Sequence, residues 1–183
     1  TERECVAEGV RQAEAKGFKN LMDVVKNGET LKAGDRVYRA WMNKDIMLFI
    51  IGEKPMECGM NILGAHIDSP RIDIKQNPLY EDEHLAYLDT HYYGGIKKYQ
   101  WVALPLALHG VVVKKDGTTV TLNIGDKPGD PVFYISDLLI HLAADQMGKT
   151  AAKVIEGDSL NIIIGSEPKK DTDKDPVKTA ILD

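Results

Sequence analysis

The sequence predicts an α/β protein in which a mixed segment of helices and strands, residues 1–75, precedes a β-rich segment, residues 76–183. Helical periodicity and strand-like runs alternate in the first segment. After residue 76, apolar runs rich in β-branched and aromatic residues dominate. The content of 43% apolar and 28% charged residues is typical of a globular protein with a buried core.

Capping and periodicity predict the first elements. Thr1 followed by Glu4 matches a capping box, which opens a helix. The apolar residues that share one face of this helix are Val6, Val10 and Ala13. A second short helix is expected to end at Gly28. Residues 36–42 and 46–51 then form two strands of a hairpin.

Strand signals dominate the rest of the chain, with one helix among them. A short buried strand is expected over residues 61–65. The further predicted strands cover residues 71–75, 85–93, 101–113, 118–124 and 161–164. Asp116-Gly117 predicts a tight hairpin turn, and Pro105 an edge or interrupted strand. Ser136 caps a predicted helix that runs to about Met147. Residues 166–178 are expected to form an exposed charged loop.

Composition argues against several classes of function. The net charge of −5 disfavours nucleic acid as a partner, because phosphate binding needs clustered Lys and Arg. No apolar run approaches the roughly 18 residues that a membrane span needs, so no membrane partner is expected. Cys5 and Cys58 form no metal or disulfide pattern and suit a reducing compartment, which predicts a cytoplasmic protein. An apolar run begins at residues 180–182, which predicts a piece of a longer polypeptide.

His66 and Asp68 are the first candidates for chemistry. A buried strand that delivers a histidine at its polar end is a rigid support for a metal ligand. Both side chains point the same way on an extended chain, so the carboxylate could orient the imidazole. The alternative is a turn in which Asp68 and Ser69 bond the local backbone. Spacing alone favours that turn, because single His-x-Asp pairs are frequent.

Three ordered stretches resemble one known family. Residues 64–75 read Gly-Ala-His-Ile-Asp-Ser-Pro-Arg-Ile-Asp-Ile-Lys, residues 93–96 read Tyr-Gly-Gly-Ile, and Ile-His-Leu lies within residues 135–142. Trp101 and the apolar run of residues 106–113 keep the same order. In this pattern the sequence resembles the aspartyl aminopeptidase and aminopeptidase I family of zinc metallopeptidases.

The resemblance implies part of a zinc-exopeptidase catalytic domain with an inserted β-rich dimerisation domain. Residues 1–75 would begin the catalytic domain, and residues 76–183 would form all or part of the dimerisation domain. The implied activity is zinc-dependent removal of amino-terminal residues from peptides by two metal ions, in homo-oligomers built from dimers. His66 is implied to bind one metal, with Asp68 orienting it. No Glu-Glu pair or later ligand motif of the family follows, so this segment alone is expected to be inactive.

His141 is the second candidate. By resemblance it reaches the active site of a partner subunit and stabilises the oxyanion of the transition state. On the predicted helix, Asp137 and Asp145 lie one turn either side of it, where they could keep it a hydrogen-bond donor. The alternative is a surface stripe of ion pairs with little energetic weight.

Departures from the family pattern leave other questions open. Gly95 and Ile96 occupy the second and third positions after Tyr93, and residues 103–105 replace an acidic element of the family. A preference for acidic substrate residues therefore does not follow. A non-catalytic oligomerisation or peptide-binding module of the same fold is the alternative function. The remaining histidines, expected at the surface or in packing, are His84, His91 and His109. Trp41 and Trp101 are expected in the core.

Overall fold

The computed structural model describes all residues from Thr1 to Asp183, and the chain forms two compact units. The first unit is Thr1–Ser69 and the second is Pro70–Asp183. Strand β4 covers Arg71–Asp82, with an irregularity in its pairing to β5 between Ile74 and Leu79, and residues 71–75 belong structurally to the second unit. The assignment of residues 1–75 and 76–183 to a catalytic and a dimerisation domain stays a prediction.

The first unit contains two helices and a three-stranded sheet. The helices are α1 (Glu2–Ala15) and α2 (Leu21–Lys26), and the strands are β1 (Lys19–Asn20), β2 (Arg36–Trp41) and β3 (Asp45–Ile50). The capping box at Thr1 and Glu4 is present, as predicted. The predicted hairpin is confirmed, with β2 antiparallel to β3 and parallel to β1. Strand β3 lies at one edge of this sheet.

Helix α1 packs on one face of the hairpin. Val6 and Ala13 on its predicted apolar face are buried, and Ile46 of β3 approaches Gly9 closely. The buried Tyr38 donates a hydrogen bond of 2.7 Å from its hydroxyl to Oε1 of Glu14. This bond joins the middle of the sheet to the end of the helix.

The bond between Tyr38 and Glu14 predicts a loss of stability at high pH. The hydrogen bond to Glu14, with burial, raises the pKa of Tyr38 from 10.0 to about 12. Between these values the folded protein keeps a proton that the unfolded chain has lost, so its contribution to stability is complete below pH 10 and disappears towards pH 12. We expect the free energy of unfolding, measured by urea denaturation, to fall more steeply with pH over this window for the unaltered chain than for Tyr38→Phe. Equal slopes for the two proteins would contradict the assignment.

The second unit holds seven strands and two short helices. The strands are β4 (Arg71–Asp82), β5 (Leu85–Tyr93), β6 (Pro105–Leu106), β7 (Leu108–Val113), β8 (Thr119–Ile124), β9 (Phe133–Tyr134) and β10 (Ile162–Gly165). The helices are α3 (Ala144–Met147) and α4 (Pro176–Leu182). Five strands form a sheet in the order β4-β5-β10-β9-β6, and β7 pairs with β8. Pro105 therefore lies on an edge strand, as predicted.

The core of the second unit lies beside the five-stranded sheet. Its buried residues are Ile135, Ile155, Leu160 and Ile162, and Trp101 packs against them as predicted. Thr90 is the buried polar residue at this core. Its hydroxyl donates to the carbonyl of Leu160 at 2.6 Å, and its amide donates to Oδ1 of Asn161 at 3.2 Å. These hydrogen bonds compensate for the water that the Thr90 hydroxyl and amide lose on burial.

The turn between β7 and β8 forms as predicted. Gly117 has a φ of +84°, which glycine adopts without steric cost. Oδ1 of Asp116 accepts a hydrogen bond of 2.8 Å from the amide of Thr118. Hydrogen bonds that the carboxylate accepts from Thr118 lower the pKa of Asp116. These local interactions favour the turn before any distant contact is made.

The predicted helix from Ser136 to Met147 is wrong. Leu139 is extended, residues 140–142 form a single 3₁₀ turn, and α3 covers only Ala144–Met147. A helix of this length gains most of its stability from packing an apolar face. The residues that would form that face here are exposed: Leu138, Leu139, Ile140, Leu142 and Met147. Without a surface to pack on, the segment does not become a helix.

Three other predictions also fail. Residues 61–65 form no strand and are exposed, because no strand of the described chain pairs with them. Trp41, the last residue of β2, is 57% exposed instead of buried. The charged loop of residues 166–178 ends early, because Pro176 starts α4 and Val177 is buried.

No helix of the structure combines the length and the apolar character that crossing a bilayer requires.

Candidate metal centre

His66 and Asp68 lie in an irregular segment near the end of the first unit. Nδ1 of His66 is 3.0 Å from the carbonyl oxygen of Asp68 and 3.2 Å from its Oδ1. Both oxygens can only accept from an imidazole, so Nδ1 carries the proton in this contact. In the neutral ring with this tautomer, Nε2 carries the lone pair, and the side chain is 83% exposed. A metal ion binds histidine through the lone pair of an unprotonated ring nitrogen such as this one.

The contact between His66 and Asp68 is local, as the turn interpretation expects. It spans two residues and involves the backbone carbonyl of Asp68 as well as the carboxylate. The same contact selects the tautomer of His66 and limits rotation of its ring. Metal-binding histidines are generally oriented by a partner in this way. The turn and the metal-ligand interpretation are therefore compatible in this geometry.

A complete zinc site needs more than this pair. No group of three or more His, Cys, Asp or Glu residues in the described chain could hold a metal ion together. Catalytic zinc generally has three protein ligands and one open position. The residues present fit the role of one ligand and its orienting partner, and they do not fit a whole zinc centre.

Two of the sequence landmarks meet in the second unit. Arg71 and Tyr93 are paired across β4 and β5, and the guanidinium lies 4.1 Å from the centre of the Tyr93 ring. Nε of Arg71 also donates to Oδ1 of Asp73 at 2.7 Å. Gly94, with a φ of +80°, packs against Pro70. Sequence reasoning missed this cluster, although pairing of the predicted strands 71–75 and 85–93 would have indicated it.

His141 lies in the 3₁₀ turn of residues 140–142 and is exposed. It has no hydrogen-bond or ion-pair partner in the chain. The expectation that Asp137 and Asp145 flank it on one helical face is wrong, because that helix does not form. Asp137 instead accepts hydrogen bonds from the amide of Leu138 and from Nε2 of Gln146.

The other histidines have ordinary surroundings. His84 is exposed in the turn between β4 and β5, with a φ of +62°. His91 stacks on Tyr92. Nε2 of His109 lies 3.0 Å from Oδ2 of Asp126. These positions agree with the predicted surface and packing roles.

Comparison with known proteins identifies the family of this chain, with its mixed α/β fold and its exposed His66. The chain belongs to the M18 peptidase family, because the family model described as aminopeptidase I zinc metalloprotease (M18) matches residues 1–183. It is 59% identical over 183 residues to the probable M18 family aminopeptidase 1 of Clostridium acetobutylicum, which it matches over 39% of that protein's length. The corresponding protein of Thermotoga maritima is 43% identical over 182 residues, again over 39% of its length.

Solved structures agree with this assignment. The crystal structure of the M18 family aminopeptidase of Thermotoga maritima matches with a TM-score of 0.88 at 43% identity, over 100% of this chain and 39% of that one. The crystal structure of aminopeptidase I of Clostridium acetobutylicum matches with a TM-score of 0.85 at 53% identity, over 100% of this chain and 41% of that one. The chain therefore spans about two fifths of the relatives that it matches.

Proposed function

We propose that this chain is the amino-terminal portion of a zinc-dependent aminopeptidase, which removes amino-terminal residues from peptides by two-metal hydrolysis. The observation that carries the proposal is the exposed Nε2 of His66, whose ring is held through Nδ1 by Asp68 at 3.0 and 3.2 Å. Membership of a zinc metalloprotease family supports the choice of metal. Residues 1–75 would begin the catalytic domain, and residues 76–183 would belong to the dimerisation domain.

In this proposal the two residues have separate tasks. His66 offers Nε2 to one zinc ion, and Asp68 fixes the tautomer and direction of the ring. Zinc, when bound in the complete centre, supplies a Lewis acid and lowers the pKa of bound water. The remaining ligands and the general base lie outside this chain. The 183 residues alone are therefore proposed to be inactive.

His141 is proposed to act in the active site of a partner subunit, as a donor to the oxyanion of the transition state. The support is its position on an exposed turn, where no residue of its own chain occupies the ring. The apolar residues around it, which a partner could cover, are Leu138, Leu139, Ile140 and Leu142. A donor aimed at developing negative charge contributes a few kcal/mol in such sites. We further propose a cytoplasmic homo-oligomer built from dimers.

The activity is tested with a completed polypeptide, in which this chain is joined to the part of the Clostridium acetobutylicum relative that lies outside the match. We expect it to release amino-terminal residues from short peptides, to lose this activity with a chelator and to regain it with zinc. The 183-residue chain should release none. A folded completed polypeptide without hydrolysis or bound zinc would contradict the proposal and favour a non-catalytic assembly module.

Replacing Asp68 tests its orienting task. Asp68→Asn removes the negative charge beside Nδ1 of His66 and leaves the backbone carbonyl in place. Changes to such partners typically reduce metal affinity or activity by about 10- to 100-fold. We expect a loss of that size in zinc affinity of the completed polypeptide, measured by competition with a chromogenic chelator. Unchanged affinity in a folded variant would show that the carboxylate has no part in metal binding.

A further inference from the structure

The first unit contains a cleft of about 320 Å³ that lies outside the candidate metal centre. Its lining comes from the end of α1, from β1, from the loop between α2 and β2 and from the start of β2. Gly17 and Gly34 form the turns at two of these places, with φ of +80° and +90°. Apart from their chain neighbours, no atom would lie within 4 Å of a Cβ at either glycine, so no side chain fills the space there. Sites for small molecules measure roughly 300–1,000 Å³, and the cleft is of that size.

Two cations of the cleft have no carboxylate partner. Nη1 of Arg36 donates a hydrogen bond of 2.9 Å to the carbonyl oxygen of Lys16, which brings the two residues side by side. The guanidinium lies 5.9 Å from the centre of the Phe18 ring. Neither the guanidinium nor the ammonium of Lys16 forms an ion pair in the chain. The remaining N–H groups of Arg36 are therefore available to a carboxylate, which a guanidinium binds through two parallel hydrogen bonds.

The carboxylates of the same cleft carry one uncompensated negative charge. Glu29 accepts hydrogen bonds of 3.1 Å from Nδ2 of Asn27 and 3.2 Å from Nζ of Lys19. These bonds hold the pKa of Glu29 below its usual value, and the nearby charge of Asp35 opposes them. Oδ2 of Asp35 accepts from the amide of Lys32 at 2.7 Å, while its Oδ1 has no partner. Because Lys19 compensates only one of the two carboxylates, a further cation is favoured beside Asp35.

Opposite charges thus line one cleft without contacting each other. Lys16 and Arg36 both lie farther than 4.0 Å from the carboxylate oxygens of Glu29 and Asp35. All four side chains belong to exposed residues, so a molecule from solution can reach them. A single small molecule that carries both a carboxylate and an ammonium would compensate the charges at both ends.

The rest of the lining is partly apolar. Val24 of α2 and Val37 of β2 are buried, and Leu31 beside them in the lining is half-buried. Small-molecule sites combine an apolar lining with a few polar groups that fix the orientation of the ligand. The exposed part of Leu31 is the surface that an aliphatic group of the ligand would contact.

We propose that this cleft binds a free α-amino acid with an aliphatic side chain. Arg36 and Lys16 hold its carboxylate, Asp35 accepts hydrogen bonds from its ammonium, and Leu31 contacts its side chain. An inorganic anion or a metal ion would compensate only one sign of charge. Free amino acids are also the products of the proposed reaction, but binding in the cleft requires neither that reaction nor zinc.

Isothermal titration calorimetry of the completed polypeptide, freed of metal with a chelator, tests the site. The ligands are leucine, 4-methylpentanoate, which lacks the ammonium, and leucinamide, which lacks the carboxylate. Removing the metal prevents the ligands from binding to zinc. We expect leucine to bind about tenfold or more tightly than either analogue, because each analogue leaves one set of charged hydrogen bonds unmade.

Substitutions separate the two ends of the cleft. Arg36→Gln should weaken leucine and 4-methylpentanoate by about tenfold and should not weaken leucinamide. Lys16→Gln should act in the same direction, and its ammonium makes no contact that the fold needs. Asp35→Asn should instead weaken leucine and leucinamide, while its amide oxygen can still accept from Lys32. Arg11→Gln is the matched control, because it removes an exposed positive charge from α1 outside the cleft.

Three results would overturn the assignment of the cleft. The first is no binding of leucine to the folded polypeptide, and the second is equal affinity for leucine and its two analogues. The third is a loss with Arg11→Gln as large as that with Arg36→Gln, which would attribute binding to net charge. A polypeptide that binds leucine with the expected pattern but hydrolyses no peptide after zinc is restored would contradict the proposed function alone.

Discussion

Replacing His66 by alanine is expected to remove one of the two zinc ions from the completed polypeptide and to lower kcat/KM by about a thousandfold or more. A bound metal supplies several kcal/mol of transition-state stabilisation, and about 4 kcal/mol corresponds to a factor of roughly a thousand. The chain offers no substitute, because no group of three or more His, Cys, Asp or Glu residues within it could hold a metal ion. Zinc content and peptide hydrolysis measured on one preparation would show both losses.

A second histidine substitution gives the control for this experiment. His84 is exposed in a turn with a φ of +62°, a conformation that asparagine tolerates. His84→Asn should therefore keep both zinc content and kcat/KM within error of the unaltered protein. If His66→Ala kept two zinc ions and full activity while folded, His66 would not be a metal ligand.

Replacing Leu160 by alanine is expected to lower the free energy of unfolding of the second unit by about 2–5 kcal/mol. Leu160 has no exposed surface and lies in the cluster with Ile135, Ile155 and Ile162. Its truncation leaves a cavity, since neighbours tied by strand pairing relax only in part. The backbone carbonyl that accepts from Thr90 would remain, so the effect reports on packing.

The fluorescence of Trp101 gives a local measurement of this loss, because its ring packs against the same core. Urea denaturation followed through this signal should shift to lower denaturant for Leu160→Ala. Leu139→Ala removes the same atoms at a position 72% exposed and should change stability by less than about 0.5 kcal/mol. Equal effects of the two substitutions would contradict the assignment of the core.

Local sequence signals predicted the elements whose interactions are local. The capping box at Thr1 joins residues three apart, and the hairpins 36–41/45–50 and 108–113/119–124 close over short turns. Even the outermost pairs of these hairpins, Arg36 with Ile50 and Leu108 with Ile124, lie in one short stretch of chain. The pattern of a short segment is therefore sufficient to predict them.

Elements that depend on distant surfaces were not predictable in this way. Residues 61–65 have the composition of a strand but no partner strand, and residues 136–147 have the caps of a helix but no surface to pack on. The burial expected for Trp41 depends in the same way on tertiary packing, and its side chain is 57% exposed. Propensity sets a weak preference in each case, and tertiary packing decides the outcome.

In the candidate site, too, local contacts could be predicted from the sequence and distant contacts could not. The pair His66 and Asp68 was predictable because its contact spans two residues. The cluster of Arg71 with Tyr93 joins residues that are distant in sequence, and it follows only from the pairing of β4 with β5. Whether His141 reaches a partner depends on an assembly, which no local pattern of the chain specifies.

The most direct test of the central claim is to locate zinc in crystals of the completed polypeptide by anomalous scattering at the zinc edge. Histidine nitrogen binds zinc at about 2.0–2.1 Å. We predict an anomalous peak at that distance from Nε2 of His66, with Nδ1 still held by Asp68. Fully occupied zinc positions with His66 turned away from all of them would contradict the account.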